Sequence, residues 1–302
     1  MDNRYRILIF GSTGMLGHTL FMRFSEGSNM NVFATARDTG GLSPWFAPEM
    51  LAKILGGVDA DDFNSVQRAI HEVRPDIVIN CVGIIKQLPN AKDPVISITI
   101  NSLFPHQLAE VCKAIGARLI HISTDCVFAG DKGNYTESDR PDAVDLYGRS
   151  KLLGELDYPP CLTLRTSIIG HELKGKFGLI EWFLAQEGKV RGFTNAIYSG
   201  FPTVEMARII ADFVIPNPNL EGLYHVSSEP ISKYNLLKLV AERYSKKIEI
   251  DPHADFVLDR SLNSNRFRNA TGYRPPSWQE LVDGMYRDYV NHKKLYGERP
   301  HY

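Results

Sequence analysis

Apolar and polar positions follow two alternating rhythms along the first half of the chain. Arg6 to Phe10 is a short apolar run closed by Gly11, and Met15 to Phe24 then places its apolar residues at helical spacing. Val32 to Thr35 reads as a second strand and Lys53 to Gly56 as a weak third. Asp62 to Val73 predicts a helix, followed by the buried-strand run Asp76 to Asn80. Asn101 to Ile115 predicts a further helix, and Arg118 to Ser123 a further strand. Strands apolar on both faces and separated by helices predict an α/β fold: a Rossmann-type doubly wound parallel sheet covered on both sides. From about residue 169 the rhythm loosens, and Pro202, Pro216, Pro218, Pro230, Pro275 and Pro276 punctuate it. Helices are predicted from Phe201-Pro202-Thr203 to about Phe213, with Thr203 near the start, and over Ser232 to Tyr244 and Trp278 to Tyr289. The expectation is a Rossmann domain over 1–168 and a smaller C-terminal α+β substrate domain over 169–302. Part of 196–226 is allowed to return to the Rossmann sheet.

Composition removes several classes of function. The 302 residues are 43% hydrophobic, enough for a sizeable core. A net charge of −1 sets up no field that would favour nucleic acid or an anionic membrane. The apolar runs Ile7–Phe10 and Ile77–Ile79 are far too short to span a bilayer. The opening MDNRYRILIFG runs straight into a strand, so no signal peptide is expected. Cys81, Cys112, Cys126 and Cys161 form no CxxC pair and no zinc-like spacing with histidine, which predicts reduced thiols in a cytoplasmic protein and no metal site.

The first candidate chemistry lies between the first strand and the first helix, where Gly11-Ser12-Thr13-Gly14-Met15-Leu16-Gly17-His18 spaces its glycines as GxxGxxG. Gly11 suits a tight turn, Gly14 a close approach of diphosphate to backbone, and Gly17 close packing of helix on sheet. Unpaired N–H groups at the helix start would then meet the anion. The spacing departs from the GxGxxG dinucleotide fingerprint, and a glycine-rich turn without a ligand is the competing reading. The second strand ends in Arg37-Asp38. Arg37 suits the 2′-phosphate of NADPH, and Asp38 directly after it keeps NADH open. His18 reads as a packing residue.

The second candidate is Tyr147-Gly148-Arg149-Ser150-Lys151, a YxxxK spacing that places Tyr147 and Lys151 on one helical face. A ketone that accepts hydride leaves an alkoxide in need of a proton, and a tyrosine beside a cation is suited to supply it. Thr124 ends the strand before this helix and is placed to donate to the carbonyl oxygen. Asn80 ends the strand before that, at the sheet edge where ligands of parallel α/β sheets bind.

These residues resemble the extended short-chain dehydrogenases that act on sugar nucleotides, and within them the dTDP-4-dehydrorhamnose reductase family. The matching pieces are GSTGMLGH at 11–18, NCVG at 80–83, Asn101, STDCVFAG at 123–130, YTESD at 135–139, YGRSKLLGE at 147–155, LRTSIIG at 164–170 and FPT at 201–203. The resemblance implies Thr124, Tyr147 and Lys151 as catalytic residues, with Asp125 shaping the substrate site and Asn101 organising it. It implies cofactor contacts from Gly11, Gly14, Gly17, Arg37, Asp59, Ala60, Asn80, Cys81, Val82 and Gly83, and from Tyr147 and Lys151. Thr13, Met15 and Leu16 would touch the diphosphate through their backbone. The chain departs from the family at Cys126, where a tyrosine is usual, at Ile168, and over Gly83-Ile84-Ile85-Lys86-Gln87. Cys126 reads as a packed or pocket-lining thiol. Lys86, Arg260 and Arg266 are candidates to grip a substrate diphosphate, with solvated surface as the competing reading. His171, after a strand end, is a further substrate-side candidate.

The implied activity is NADPH-dependent reduction of a nucleotide-activated 4-keto-6-deoxy sugar in polysaccharide or deoxysugar biosynthesis. An epimerase or dehydratase on the same scaffold stays open, as does a non-catalytic regulatory NADP-binding subunit. Intact Thr124, Tyr147 and Lys151 argue against the last. By analogy of fold, two copies are expected to pair through helices as a homodimer.

Overall fold

The computed structural model describes residues 5–27, 30–86, 89–293 and 295–296, so Gln87 lies outside it. The first half runs β1 (Tyr5–Phe10), α1 (Met15–Glu26), β2 (Met30–Thr35), α2 (Pro48–Leu51), β3 (Ile54–Leu55), α3 (Phe63–Val73) and β4 (Ile77–Asn80). It continues through α4 (Pro94–Ile98), α5 (Phe104–Ile115), β5 (Arg118–Thr124), α6 (Leu146–Leu153) and β6 (Cys161–Thr166). The remainder is β7 (Ile168–Ile169), α7 (Leu179–Leu184), β8 (Lys189–Phe193), β9 (Ala196–Tyr198), β10 (Phe201–Pro202), α8 (Thr203–Ile209) and β11 (Gly222–His225). Then follow β12 (Ile231–Ser232), α9 (Lys233–Arg243), β13 (Glu249–His253), β14 (Leu258–Asp259), α10 (Asn265–Thr271) and α11 (Trp278–Asn291).

The main sheet has seven strands in the order β11-β6-β5-β4-β1-β2-β3, and every pairing is parallel. This is the Rossmann-type α/β sheet expected from the alternating runs. Its double-sided burial is visible within β1. Ile7 and Ile9 join the apolar core that includes Leu20 and Phe21 of α1, whereas Leu8 and Phe10 join the core that includes Val66 of α3 and Leu108 of α5. The first of these cores also takes in Phe201, Met206, Trp278 and Leu281, so both halves of the chain share it.

Strand register sets up the site. Phe10 pairs with Asn80, and Asn80 with His121, so β5 projects past its neighbour to Thr124. Two helices are interrupted by wider π turns. Over Thr99–Leu103 the Phe104 N–H bonds the Thr99 carbonyl five residues back, so the helix expected from Asn101 begins as a π turn. The helix opened at Thr203 passes into a second π turn over Ile210–Val214.

A clamp joins the chain after β5 to the chain after β14. Tyr135 N–H bonds Ser261 O at 2.9 Å, Asn263 N–H bonds Tyr135 O at 2.7 Å, and Asp259 N–H bonds Gly130 O at 2.8 Å. Gly130 has φ +97°, and a Cβ there would sit 2.8 Å from Arg260 Cγ. Glycine is therefore required both by the backbone and by the close approach.

Candidate active site

The glycine loop leaves β1 with Gly11 at φ +91°. A Cβ on Gly17 would run into the Gly11 carbonyl oxygen, so α1 seats on the loop only with glycine there. Gly14 caps α1 without any side-chain hydrogen bond, which leaves N–H groups of the first turn without protein partners. A Cβ on Gly14 would meet nothing tighter than Gly11 O at 3.5 Å, so packing does not claim that space. An uncapped helix start with an open backbone in front of it fits a diphosphate. Thr13 is exposed, Met15 half-buried, and Leu16 buried in the core.

Beyond β2, Arg37 is exposed and makes no ion pair with any described residue. Asp38 turns its carboxylate back on its own turn, accepting from Gly40 N–H at 2.7 Å. Asp59 and Ala60 are half-buried after β3. Asp59 is tied to α3 by its N–H to Ser65 Oγ at 2.9 Å.

Asn80 is fully buried at the end of β4. Its Oδ1 accepts from Val82 N–H at 3.0 Å, and its Nδ2 lies 3.1 Å from His121 Nδ1. The side chain shapes the Cys81-Val82-Gly83 turn from beneath. Because its amide orientation is fixed by Val82, Nδ2 donates to Nδ1 and the His121 proton sits on Nε2. That nitrogen is 3.5 Å from Lys151 Nζ, too long and wrongly matched for a good bond between two donors. Lys151 instead donates to Ile122 O at 2.8 Å. Burial is the main reason its pKa falls to about 8, while Glu155 and Cys81 pull it upward.

Tyr147 stands half-buried on α6, hydrogen-bonded to Thr124. Burial pushes its phenol well above the usual range, and Cys126, Asp125 and Asp145 add to that, opposed by the Thr124 bond. Thr124 Oγ1 donates to Asp125 Oδ1 at 3.1 Å and accepts from Cys126 N–H at 3.1 Å. Asp125 has its pKa raised by burial, against the pull of Arg260, its hydrogen bonds and Lys233. Asp145 caps α6 through Gly148 N–H at 2.8 Å and pairs with Lys86 Nζ at 2.7 Å. The Lys86 ammonium lies 5.5 Å from the Tyr147 ring centroid.

Asn101 works by positioning. From the π turn its Oδ1 accepts Ile84 N–H at 2.8 Å, and its Nδ2 donates to Ile84 O at 3.1 Å and Ser150 Oγ at 3.1 Å. Ser150 Oγ in turn donates to Tyr147 O at 3.0 Å. One buried amide thus sets the loop that carries Lys86 against the helix that carries Tyr147.

The clamp delivers Arg260. Its Nε donates to Phe128 O at 2.7 Å, and Nη1 lies 3.6 Å from Cys126 Sγ. Burial first, then Asp125, pushes the Cys126 thiol up to about 11, so it is held as a neutral pocket-side group.

Two expectations need correction. His171 does not face this crevice. It is buried with Nδ1 2.7 Å from Glu181 Oε1 and Nε2 2.8 Å from the Tyr244 hydroxyl, inside a cluster with Tyr289 and Tyr296. Arg266 stacks on the Tyr224 ring of β11, 4.6 Å from its centroid, and is not among the groups around Thr124. Sequence reasoning also missed Lys233. It opens α9, and its charge is felt by Asp125, Cys126 and Arg260. Two open grooves lie elsewhere. One of roughly 500 Å³ runs between α1, α8 and α11, and one of roughly 850 Å³ along α9; neither is lined by Thr124, Tyr147 or Lys151.

The parallel sheet, the glycine loop and the Thr-Tyr-Lys constellation define an extended short-chain dehydrogenase/reductase. The chain belongs to the RmlD substrate binding domain family, whose profile matches residues 5–291. The dTDP-4-dehydrorhamnose reductase of Escherichia coli (strain K12) is 26% identical over 92% of this chain and 96% of its own length. The methionine adenosyltransferase 2 subunit beta of Mus musculus is 25% identical over 95% of this chain and 91% of its own length. Among solved structures, a dTDP-4-dehydrorhamnose reductase from Bacillus anthracis str. Ames in complex with NADP superposes with a TM-score of 0.77. It is 22% identical and covers 94% of this chain and 99% of that one.

Proposed function

We propose that the protein reduces the keto group of a nucleotide-activated 4-keto-6-deoxy sugar with NADPH. One observation carries the reading: Thr124, Tyr147 and Lys151 gather at the C-terminal edge of the sheet, beside an uncapped glycine loop. Gly11, Gly14 and the first turn of α1 would hold the diphosphate, and Arg37 would meet the 2′-phosphate. Asp38, turned onto Gly40, is less available to a ribose hydroxyl. When bound, the dinucleotide supplies the hydride that the carbonyl carbon receives. The Thr124 hydroxyl turns from Asp125 to donate to the carbonyl oxygen as negative charge grows there, and Tyr147 transfers its proton to that oxygen. Lys151 would hold the nicotinamide ribose hydroxyls, and its positive charge favours the tyrosinate left behind. Lys86 and Arg260 flank the pocket and suit the two negative charges of a sugar nucleotide diphosphate.

The test is oxidation of NADPH, followed by its absorbance, with a panel of UDP-, dTDP- and GDP-linked 4-keto-6-deoxy sugars, and NADH in parallel. Turnover of one donor, with NADPH preferred, is the expected result. Tight dinucleotide binding with no turnover of any donor would replace this reading by an epimerase, a dehydratase or a regulatory subunit.

Four free cysteines fit a reducing cytoplasm, and no helix among the described residues is long and apolar enough to cross a membrane. Pairing of two copies has a face available: Val95 and Ile98 on α4, Leu103 on the π turn and Leu153 on α6 expose 71%, 47%, 50% and 64% of their surface on elements packed together. Sedimentation should give a dimer, and Leu153→Asp should convert it to monomer; a wild-type monomer would end that idea.

A further inference from the structure

The cofactor loop is held from behind by the far end of the chain. Gly14 O accepts two hydrogen bonds from one residue, His18 N–H at 3.0 Å and His18 Nδ1 at 2.8 Å. A carbonyl only accepts, so Nδ1 carries a proton. Burial is the chief cause that takes the His18 pKa down to about 4, so the ring is neutral and Nε2 is bare. Nε2 therefore accepts, and the group 3.2 Å away is the Tyr296 hydroxyl, which must donate. Tyr296 is seated by its ring, edge-on to His18 at 5.9 Å between centroids, 5.1 Å from His171 and stacked on Tyr289 at 6.0 Å.

The geometry has a consequence at the opposite side of the peptide. In a trans peptide, C=O and the following N–H point in opposite directions. With the Gly14 carbonyl pinned toward His18, the Met15 N–H is aimed out of the helix start, where a diphosphate is bound. We infer that Tyr296 is a positioning residue for the dinucleotide: by donating to His18 Nε2 it holds the imidazole in the orientation whose Nδ1–H pins the Gly14 carbonyl and presents the Met15 N–H. Without the Tyr296 O–H, Nε2 is an unsatisfied buried acceptor. The ring then gains by turning Nε2 toward water, which weakens the Nδ1–H bond to Gly14 O and leaves that carbonyl held by the His18 N–H alone. The tail after α11 is thereby part of the cofactor site, although it never reaches the ligand.

The inference rests on the dinucleotide reading of the glycine loop, but its test needs no sugar substrate. NADPH dissociation constants are measured by fluorescence for wild type, Tyr296→Phe, His18→Leu and the double variant. Phenylalanine keeps the ring packing and removes only the hydroxyl. Tyr296→Phe should weaken NADPH about three- to tenfold, and should cause no further loss in the His18→Leu background. Unchanged affinity, or the same factor lost in both backgrounds, would overturn the inference. Nitrogen-15 spectra of the histidine rings give a check that needs no variant: His18 should show the Nδ1–H tautomer, and an Nε2–H ring in the wild type would equally overturn it. Wild-type protein that binds no dinucleotide would sink the functional reading and this inference with it, whereas NADPH binding that ignores Tyr296→Phe would sink this inference alone.

Discussion

Tyr147→Phe is expected to lower kcat for ketone reduction by about 10²–10⁴-fold, with NADPH affinity and thermal stability held. The size follows from what the phenol alone can do. Thr124 Oγ1 accepts from the Cys126 N–H and gives its one hydrogen bond to Asp125; turned to the substrate it can polarise the carbonyl, but an alcohol is too weak an acid to surrender the proton. Lys151 is bonded to Ile122 O and lies deep behind the site. A phenyl ring preserves the packing and removes the phenol proton. The pH profile separates the two residues. Burial lowers the Lys151 pKa to about 8, so its ammonium is present below that pH and lost above it. Burial raises Tyr147, so the phenol stays protonated over the same range. The basic limb of kcat/KM in the wild type should therefore fall near pH 8 and report Lys151 in the free protein. A limb two or more units higher would mean that the lysine is not the group lost. Residual turnover within about tenfold of wild type in Tyr147→Phe would remove tyrosine from the mechanism.

The largest loss of stability is expected from Glu155→Gln. Glu155 accepts from Arg165 Nε at 2.7 Å and Nη2 at 2.6 Å and from Ser123 Oγ at 2.6 Å. Both charged side chains of the pair are nearly sealed from solvent, at 5% and 6% exposure. Neutralising one member strands the other, at a cost of about 3–5 kcal/mol. For a chain of this size the melting temperature should fall on the order of 10 °C. Glu155 also raises the pKa of Lys151, so its neutralisation should move the basic limb of the activity profile to lower pH. A stable variant with an unmoved limb would show that the ion pair neither holds β5 to β6 nor supports the lysine. The two readouts are independent, since melting measures the pair and the limb measures the charge felt at Lys151.

What the sequence made legible is local. Strands buried on both faces are mostly apolar, so β1 and β4 announce themselves as runs, and β5 does so through Leu119, Ile120 and Ile122. A glycine loop between strand and helix is defined by neighbours within a few residues, as is the Tyr147–Lys151 spacing. What stayed hidden depends on partners far along the chain. A histidine after a strand end looks alike whether it meets a ligand or a carboxylate, and only the arrival of Glu181 and Tyr244 buries His171. Arg260 and Arg266 are near neighbours in sequence, yet the clamp turns one toward Cys126 while the other stacks on β11. Lys233 gave no signal at all, because one lysine opening a helix is unremarkable until folding sets it near Asp125. The π turn around Asn101 looks like ordinary helix in the sequence, since an added residue in a turn leaves the apolar spacing almost unchanged.

The clamp between Gly130–Tyr135 and Asp259–Asn263 bears on how such proteins can be recombined. A chimera made by exchanging residues 169–302 with those of a relative would bring a foreign 258–263 segment against a native Gly130 loop. Any side chain that reaches into the space left by Gly130 would push Arg260 away from Cys126. On the proposed reading of Arg260 as a diphosphate ligand, substrate preference is not a portable property of the C-terminal half. The stretch 126–145 has to travel with it, as one inherited unit drawn from two distant parts of the chain.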